Sequence, residues 1–286
     1  MEVFEVSNID FDRYSNRQLA GVPLLALGIA LAIILTWFVL YGTPVFLGIE
    51  FTGGTELTLR TQDSPSAIQR TFENEITSIR QIRTQENVYL VTFQSANSDV
   101  LASQARSAGY EIEAIETTSP IFGESAQQQA LFGLVAAFIG MSIIVFLLFR
   151  TFVPSIAVVL SAFSDIVIPI AVMDLLGIEL SIGTVAALLM LIGYSVDSDI
   201  LLNNHVLRRS GSFYESVYRA MRTGVTMTVT SISAMTVMTI VSYLFGIELL
   251  TSIGFILVIG LATDLMNTYM LNLSLLRWYK FEGVKR

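Results

Sequence analysis

Residues 18–49 read QLAGVPLLALGIALAIILTWFVLYGTPVFLGI, 32 consecutive positions without a formal charge between Arg17 and Glu50. A helix crossing the hydrocarbon core of a bilayer needs about 20 mostly apolar residues, so this stretch is long enough to span it. The same pattern recurs down the chain. Between Glu124 and Arg150 lie 25 uncharged residues, and from Arg150 to Asp174 lie 23, broken only by Asp165. Leu180 to Val196 is free of charge for 17 residues and continues past two Asp to Asn204. Arg222 to Glu248 encloses 25 uncharged residues, and Glu248 to Arg277 encloses 28, broken only by Asp264. We read six transmembrane helices. Six buried apolar helices in a soluble chain of 286 residues would leave too little polar surface to cover them.

Composition agrees. Hydrophobic residues make up 53% and charged residues 14%, against about 25% charged in ordinary soluble domains, and mean hydropathy is +0.66. The net charge of -8 disfavours a nucleic-acid partner, which needs a basic face. The absence of Cys removes disulfides, thiolate metal sites and a Cys nucleophile, and a single His, His205, removes a multi-His metal cluster. There is no Ser/His/Asp triad pattern and no HExxH, so neither an enzyme nor a cofactor is expected.

Orientation follows from the basic residues. With the N-terminus inside, the cytoplasmic segments hold 11 of the 16 Lys and Arg, and the two short outer loops near Asp174–Glu179 and Gly246–Leu250 hold none. The other five (Arg60, Arg70, Arg80, Arg83, Arg106) lie in the long first loop, and long loops translocate largely regardless of charge. The expected organisation is a cytoplasmic segment 1–19, a first span 20–41, an extracytoplasmic domain 42–125, a five-helix bundle 126–277 and a cytoplasmic tail 278–286. The protein is expected in the cytoplasmic membrane with both termini cytoplasmic. The first apolar run is too long for a signal-peptide core and lacks a small-residue cleavage site, so it reads as an uncleaved anchor.

The first loop alternates strand and helix signals. Thr55–Arg60 alternates in β fashion, Ser64-Pro65 opens a polar helix to about Ser78, and Ile79–Thr84 is a second strand. Glu86-Asn87 turns into Val88–Phe93, Asn97 caps a helix that Gly109 ends, and Tyr110–Thr117 alternates again. The order β-α-β-β-α-β predicts a small ferredoxin-like α+β domain between the first and second helices. Its five basic and 11 acidic residues are consistent with simple solvation. With only Lys280 and Lys285 as lysines in the chain, we read the excess as adaptation to high salt.

A charge near the bilayer centre costs roughly 2.5–3.5 kcal/mol, so intramembrane ionisable residues are functional candidates by default. Asp165 lies midway in the third span and Asp264 midway in the sixth; Asp197 and Asp199 lie toward the inner half of the fourth. At about 100° per residue, Asp197 shares a face with Asn204, and Asp199 shares another with Asn203. The fifth span opens with Arg222-Thr223 and carries Thr226, Thr230 and Ser233, a polar stripe suited to packing against the fourth. Arg222 either serves topology or neutralises Asp197 or Asp199. The Asp residues read as a proton or cation pathway, with interhelical hydrogen bonding and a fixed metal site as the alternatives; in a salt-adapted organism Na⁺ can stand in for H⁺. His205 reads as an interfacial cap at the end of the fourth helix. Gly53-Gly54 lacks the Lys and following helix of a P-loop and reads as a tight turn.

Three segments together resemble the SecF family of protein-export membrane proteins, relatives of the resistance-nodulation-division transporters. Gly48-Ile-Glu50-Phe51-Thr-Gly53-Gly54 is similar to the family's GIDFxGG, with Glu50 where Asp is usual. Gly193-Tyr-Ser-Val-Asp197-Ser198-Asp199 is similar to the bacterial GYSxNDT, with Asp197, Ser198 and Asp199 at the Asn, Asp and Thr positions. Arg222-Thr223-Gly-Val-Thr226 is similar to RTxxT, and Asp165 matches the Asp of the family's His-Asp pair, with Ser164 replacing the His. The displaced Asp and the extra Asp264 suggest an archaeal-type variant. The resemblance implies a non-enzymatic partner of SecD working beside a SecY channel, where proton flow through the spans is coupled to movement of the outer domain, which helps pull exported chains outward. The partners implied are SecD, a SecY-containing translocon, exported polypeptides and the lipid bilayer. The rival readings are an ion-coupled small-solute or lipid exporter subunit of the same superfamily, and a non-transporting scaffold of the translocon.

Overall fold

The structure, a computed structural model, describes residues 13–82, 87–208 and 212–283. Six helices are long and apolar enough to cross a membrane. They are α1 (Asn16–Tyr41), α5 (Pro120–Phe149), α6 (Phe152–Leu176), α7 (Ile182–Arg208), α8 (Phe213–Leu244) and a last helix that starts as α9 (Glu248–Met266). That last helix passes through a π-helical segment, Asn267–Asn272, into α10 (Leu273–Trp278). Local chemistry sets the ends. Ser15 and Gln18 form a reciprocal capping box at the start of α1, and Gly42, at φ 76°, closes it by donating to the carbonyl of Phe38. Pro120 occupies the first turn of α5 behind the Ser119 cap.

Within the protein, 61%, 56% and 39% of the apolar stretches of α6, α7 and the last helix are buried, against 17%, 6% and 11% in α1, α5 and α8. The first three form the inner layer and the others flank it. Val158, Ala162 and Ile166 of α6 meet Leu188, Leu191 and Ile192 of α7 and Ile256, Leu257 and Leu261 of α9 in one apolar core. Gly260 makes room for Leu191, whose side chain lies where a β-carbon would sit.

The α+β domain carries β1 (Gly54–Arg60), α3 (Pro65–Thr71), β2 (Ile76–Gln81), β3 (Val88–Phe93), α4 (Ser98–Ser107) and β4 (Glu111–Thr118), preceded by the single turn α2 (Ile49–Thr52). The sheet is antiparallel in the order β2-β3-β1-β4, the ferredoxin-like arrangement that the sequence predicts. Leu57, Leu59, Tyr89, Val91 and Phe93 turn one sheet face onto Ile68 and Leu101 of the two helices.

The polar helix expected to reach Ser78 ends at Thr71. Phe72 leaves the helix in an extended conformation and packs edge-on against Phe93, with ring centroids 4.8 Å apart; the chain bends through residues 73–75, and Ser78 lies in β2, which starts at Ile76. Asn97 sits at the start of α4 but makes no side-chain cap. The expected strand end at Thr84 and the turn residue Glu86 lie outside the described residues.

Two contacts join the domain to the bundle. At the β1 and β4 end, the backbones of Phe51 and Gly53 crowd Gly123 of α5, and Gly53 (φ 73°) lies against Pro120. Beside this, the Gly48 amide donates to the Leu180 carbonyl at 2.9 Å and the Leu180 amide to the Phe46 carbonyl at 2.7 Å. At the β2 edge, Arg80 reaches Glu179, in the loop between α6 and α7, at 3.2 Å and Glu248 of α9 at 3.9 Å. Glu56, facing Arg80 from β1, accepts a hydrogen bond from Thr92 at 3.2 Å. Burial pushes its carboxyl up from 4.5 to about 7, against the pull of the Arg80 guanidinium.

Gly53→Ala places a β-carbon 2.6 Å from the Pro120 backbone at a left-handed φ. It is expected to destabilise the protein by more than about 2 kcal/mol, read as a lowered melting temperature. The fold binds the Glu56 proton more tightly than the unfolded chain does between pH 4.5 and about 7. Stability conferred by Glu56 therefore falls as pH rises through that window and levels off above it. Glu56→Gln should flatten this slope in melts recorded across pH.

Candidate functional site

Three inner helices bring their polar residues to one place. On α7, Ser195, Ser198, Asp199 and Asn203 recur at helical spacing and all are buried. On α6, Asp165 sits one turn before Pro169, which has no N–H to give the Asp165 carbonyl. On the last helix, Asp264 and Thr268 are one turn apart. Asn267 and Asn272, about 140° apart on an α-helix, come into line because Asn267–Asn272 is π-helical.

These groups form a single network. Asp165 accepts from Ser195 and from Asn267, each at 2.6 Å. Asp199 Oδ1 accepts from Thr268 and Asn272, each at 2.8 Å. Asp264 Oδ1 accepts from Ser198 at 2.7 Å, and Thr268 bridges to it at 3.3 Å. Asn203 Nδ2 donates to the backbone carbonyl of Asp199 at 2.8 Å and toward Asn272 at 3.3 Å. The second oxygens of Asp199 and Asp264, the carbonyl oxygens of Asn203 and Asn267, and the hydroxyls of Ser161 and Ser164 are buried without a partner. Ser161 stands against Asp199 without completing a bond of good geometry. Among the described residues, no Lys, Arg or His forms an ion pair with Asp165, Asp199 or Asp264. No three His, Asp or Glu side chains among those residues converge as a metal site requires.

The structure thus brings together three of the four candidate Asp. Asp197 is on the other side of α7, exposed on the same outward face as Met190 and Gly193. Asn204 is half-buried and outside the network. Arg222 neutralises neither Asp197 nor Asp199: its side chain is exposed and in no ion pair among the described residues. The stripe of Thr223, Thr226, Thr230 and Ser233 does not pack on α7 as expected but is exposed, each hydroxyl bonding the carbonyl four residues back. Each side chain thereby satisfies its donor within its own helix. α8 meets α7 and the last helix through Gly224, Thr228 and Ser231 instead. Tyr194 of α7 bonds Ser231, and Tyr269 lies over Gly224. His205 is buried, its Nδ1 donating to the Leu201 carbonyl at 2.8 Å. In the Gly48–Gly54 segment, Glu50 faces Glu179, Phe51 is buried, and Gly53 and Gly54 both have positive φ. Sequence reasoning missed Ser195, Ser198, Asn267, Thr268 and Asn272. Ser195 and Ser198 carried the same helical spacing as Asp199; the two Asn carried no α-helical signal.

Two family descriptions match the chain: "Protein export membrane protein SecD/SecF, C-terminal" over residues 99–282 and "SecD/SecF GG Motif" over residues 38–65. A protein-export membrane protein SecF from Haloferax volcanii is 62% identical, and one from Haloquadratum walsbyi 61%, each with full coverage of both chains. Both sources are halophilic archaea. The SecF of Pyrococcus furiosus is 40% identical over 91% of this chain and 90% of its own. Among solved structures, SecDF from Thermus thermophilus, described as a translocon-associated membrane protein, superposes with a TM-score of 0.74 at 21% identity. The match covers 97% of this chain and 40% of that longer one.

Asn272→Ala removes a donor from buried Asp199 and is expected to cost about 1–3 kcal/mol, read by thermal unfolding in lipid nanodiscs. Asp197→Asn, on the exposed face, should leave the isolated subunit within about 0.5 kcal/mol of the parent.

Proposed function

This chain belongs to the SecD/SecF family of protein-export membrane proteins, and from that premise we propose that it is the SecF-type subunit of a complex with SecD. In this reading the complex assists Sec-dependent translocation across the cytoplasmic membrane, beside a SecY-containing channel. Both termini are cytoplasmic and the α+β domain, residues 42–125, stands outside, as the distribution of Lys and Arg supports.

The observation that carries the coupling is the network of Asp165, Asp199 and Asp264, three buried carboxylates with no cation among their described partners. Uncompensated charge does not persist in hydrocarbon. The missing positive charge is a proton or Na⁺ that enters and leaves with the gradient. Each elementary charge crossing the membrane supplies about 2.3 kcal/mol per 100 mV, enough for a few ions to bias a two-state movement. Partnership with SecD accounts for the outward face of α7. Asp197 exposed there would meet lipid in an isolated subunit, and Arg222, Thr223 and Thr226 add polar groups on α8. A helix from SecD lies against that face and shields Asp197.

The test is export of a secreted reporter in cells carrying Asp165→Asn, Asp197→Asn, Asp199→Asn or Asp264→Asn at matched protein levels. At least one of Asp165, Asp199 and Asp264 is expected to give a defect; full export in all four variants removes ion coupling. Asp197→Leu is expected to weaken co-purification with SecD while the three inner substitutions leave it intact, and unchanged recovery of SecD would place the contact elsewhere.

A further inference from the structure

Of the six spans, α5 is the one the protein covers least, with 6% of its apolar stretch buried. Its outward face is not smooth. Phe138, Ser142 and Phe146 follow one another at four-residue spacing, and the small Ser142 leaves a notch between the two rings. Ile139, Ile143 and Leu147 form the far wall, each more than half exposed. Together these six residues line an open furrow of about 420 Å³. The ring pairs Phe138–Phe163 and Phe146–Phe152, with centroids 6.3 and 6.1 Å apart, bring α6 against its two ends. Ser142 already donates to the Phe138 carbonyl at 2.8 Å, so the floor of the furrow is dry and asks for no polar ligand.

From Phe138 to Leu147 the helix rises about 14 Å, close to the depth of one hydrocarbon leaflet, about 15 Å. A furrow of that length with one notch suits a single extended hydrocarbon chain. It does not suit a second helix. Close helix packing in membranes repeats small residues along the seam, and this face has one small residue among five large ones.

Three residues beyond Leu147 stands Arg150, which ends α5 at φ 54° and ψ 21°. Left-handed backbone disfavours any residue with a β-carbon, and glycine is the usual occupant of such a helix end. Arg150 is exposed and, among the described residues, in no ion pair. Topology alone does not call for it here. A cation at Thr151, whose φ is -132°, would mark the same side of the membrane without that strain. What the position adds is register. The Arg150 amide bonds the Phe146 carbonyl at 3.0 Å, which sets the cation at the membrane boundary just past the end of the furrow.

We propose that α5 and Arg150 form a binding site for one anionic phospholipid, its phosphate on the Arg150 guanidinium and one acyl chain in the notch at Ser142. Arginine meets phosphate with paired hydrogen bonds, and the chain lies along a face that the protein leaves open. The bound lipid gives α5 the lateral support that the other spans obtain from protein. The site rests on the six membrane helices and not on the export reading.

The test uses the full chain. Native mass spectra from neutral detergent count bound lipid with phosphatidylglycerol or phosphatidylcholine added, and melts are recorded in nanodiscs of each lipid. The parent should bind its first phosphatidylglycerol about fivefold more tightly than phosphatidylcholine, the factor that about 1 kcal/mol per Arg at an anionic surface gives. Phosphatidylglycerol should also raise its melting temperature. Arg150→Gly removes the strain together with the cation. It should melt above the parent in phosphatidylcholine, which shows that it is folded, yet lose both the fivefold preference and the rise with phosphatidylglycerol. Ser142→Leu fills the notch and keeps the cation; with its melting temperature in phosphatidylcholine held, it should retain less of either lipid. Three results would each overturn the proposal: a preference that survives Arg150→Gly, lipid retention unchanged in a folded Ser142→Leu, or a dimer of the parent that Ser142→Leu dissociates, which would give this face to a second copy.

Discussion

Hydrocarbon offers a carboxylate no water, so each buried Asp must be answered by donors that the chain itself delivers. That requirement organises the inner layer. Asp165, Asp199 and Asp264 lie on three different helices, and each accepts from at least one donor on a neighbouring helix, so the network ties α6, α7 and the last helix together where apolar packing alone would leave their rotation loosely defined. Ser198 and Thr268 are small enough to stand between carboxylates, and Asn267 and Asn272 are long enough to reach across. Leu188, Leu191 and Ile256 of α7 and α9 pack in the apolar core that joins the same three helices.

The same constraint gives meaning to the groups it leaves unanswered. Oxygens of Asp199 and Asp264 remain without a donor in a site closed to solvent, and Pro169 withholds a backbone donor beside Asp165. Irregular backbone and unpaired acceptors at membrane depth are tolerated where they line a functional seam. Asp197 obeys the rule from the other side, exposed in the isolated chain and therefore in need of cover from outside it.

Charge-free runs were enough to locate six helices, because length and lack of charge are what a bilayer demands. The ferredoxin-like domain was legible for the same kind of reason: alternation and turn residues repeat at the scale of one strand. Helical spacing also separated Asp197 from Asp199. It could not say which face was inward, since both faces of α7 are apolar elsewhere; this is why the polar stripe of α8 was placed against α7 when it is Gly224 that turns inward. Phe72 shows a similar limit. Its local sequence continues a helix, and only the pocket beside Phe93, 21 residues away in the chain, draws it out. The donors Asn267 and Asn272 were hidden because an α-helical wheel sets them on different sides.

A π-helical turn is an α-helix carrying one residue more than its pitch can hold. The surplus in Asn267–Asn272 sets the phase of everything after it. Downstream, Arg277 binds Asn16 and the Tyr14 carbonyl at the beginning of the chain and reaches Tyr214 at the start of α8. Removing a single residue from the turn would restore a regular helix and rotate Arg277 by about 100°, away from all three. The chain's first and last membrane helices are thus kept in register by an insertion of one, and the segment that feeds donors to the acidic seam is also the one that indexes the two ends of the protein against each other.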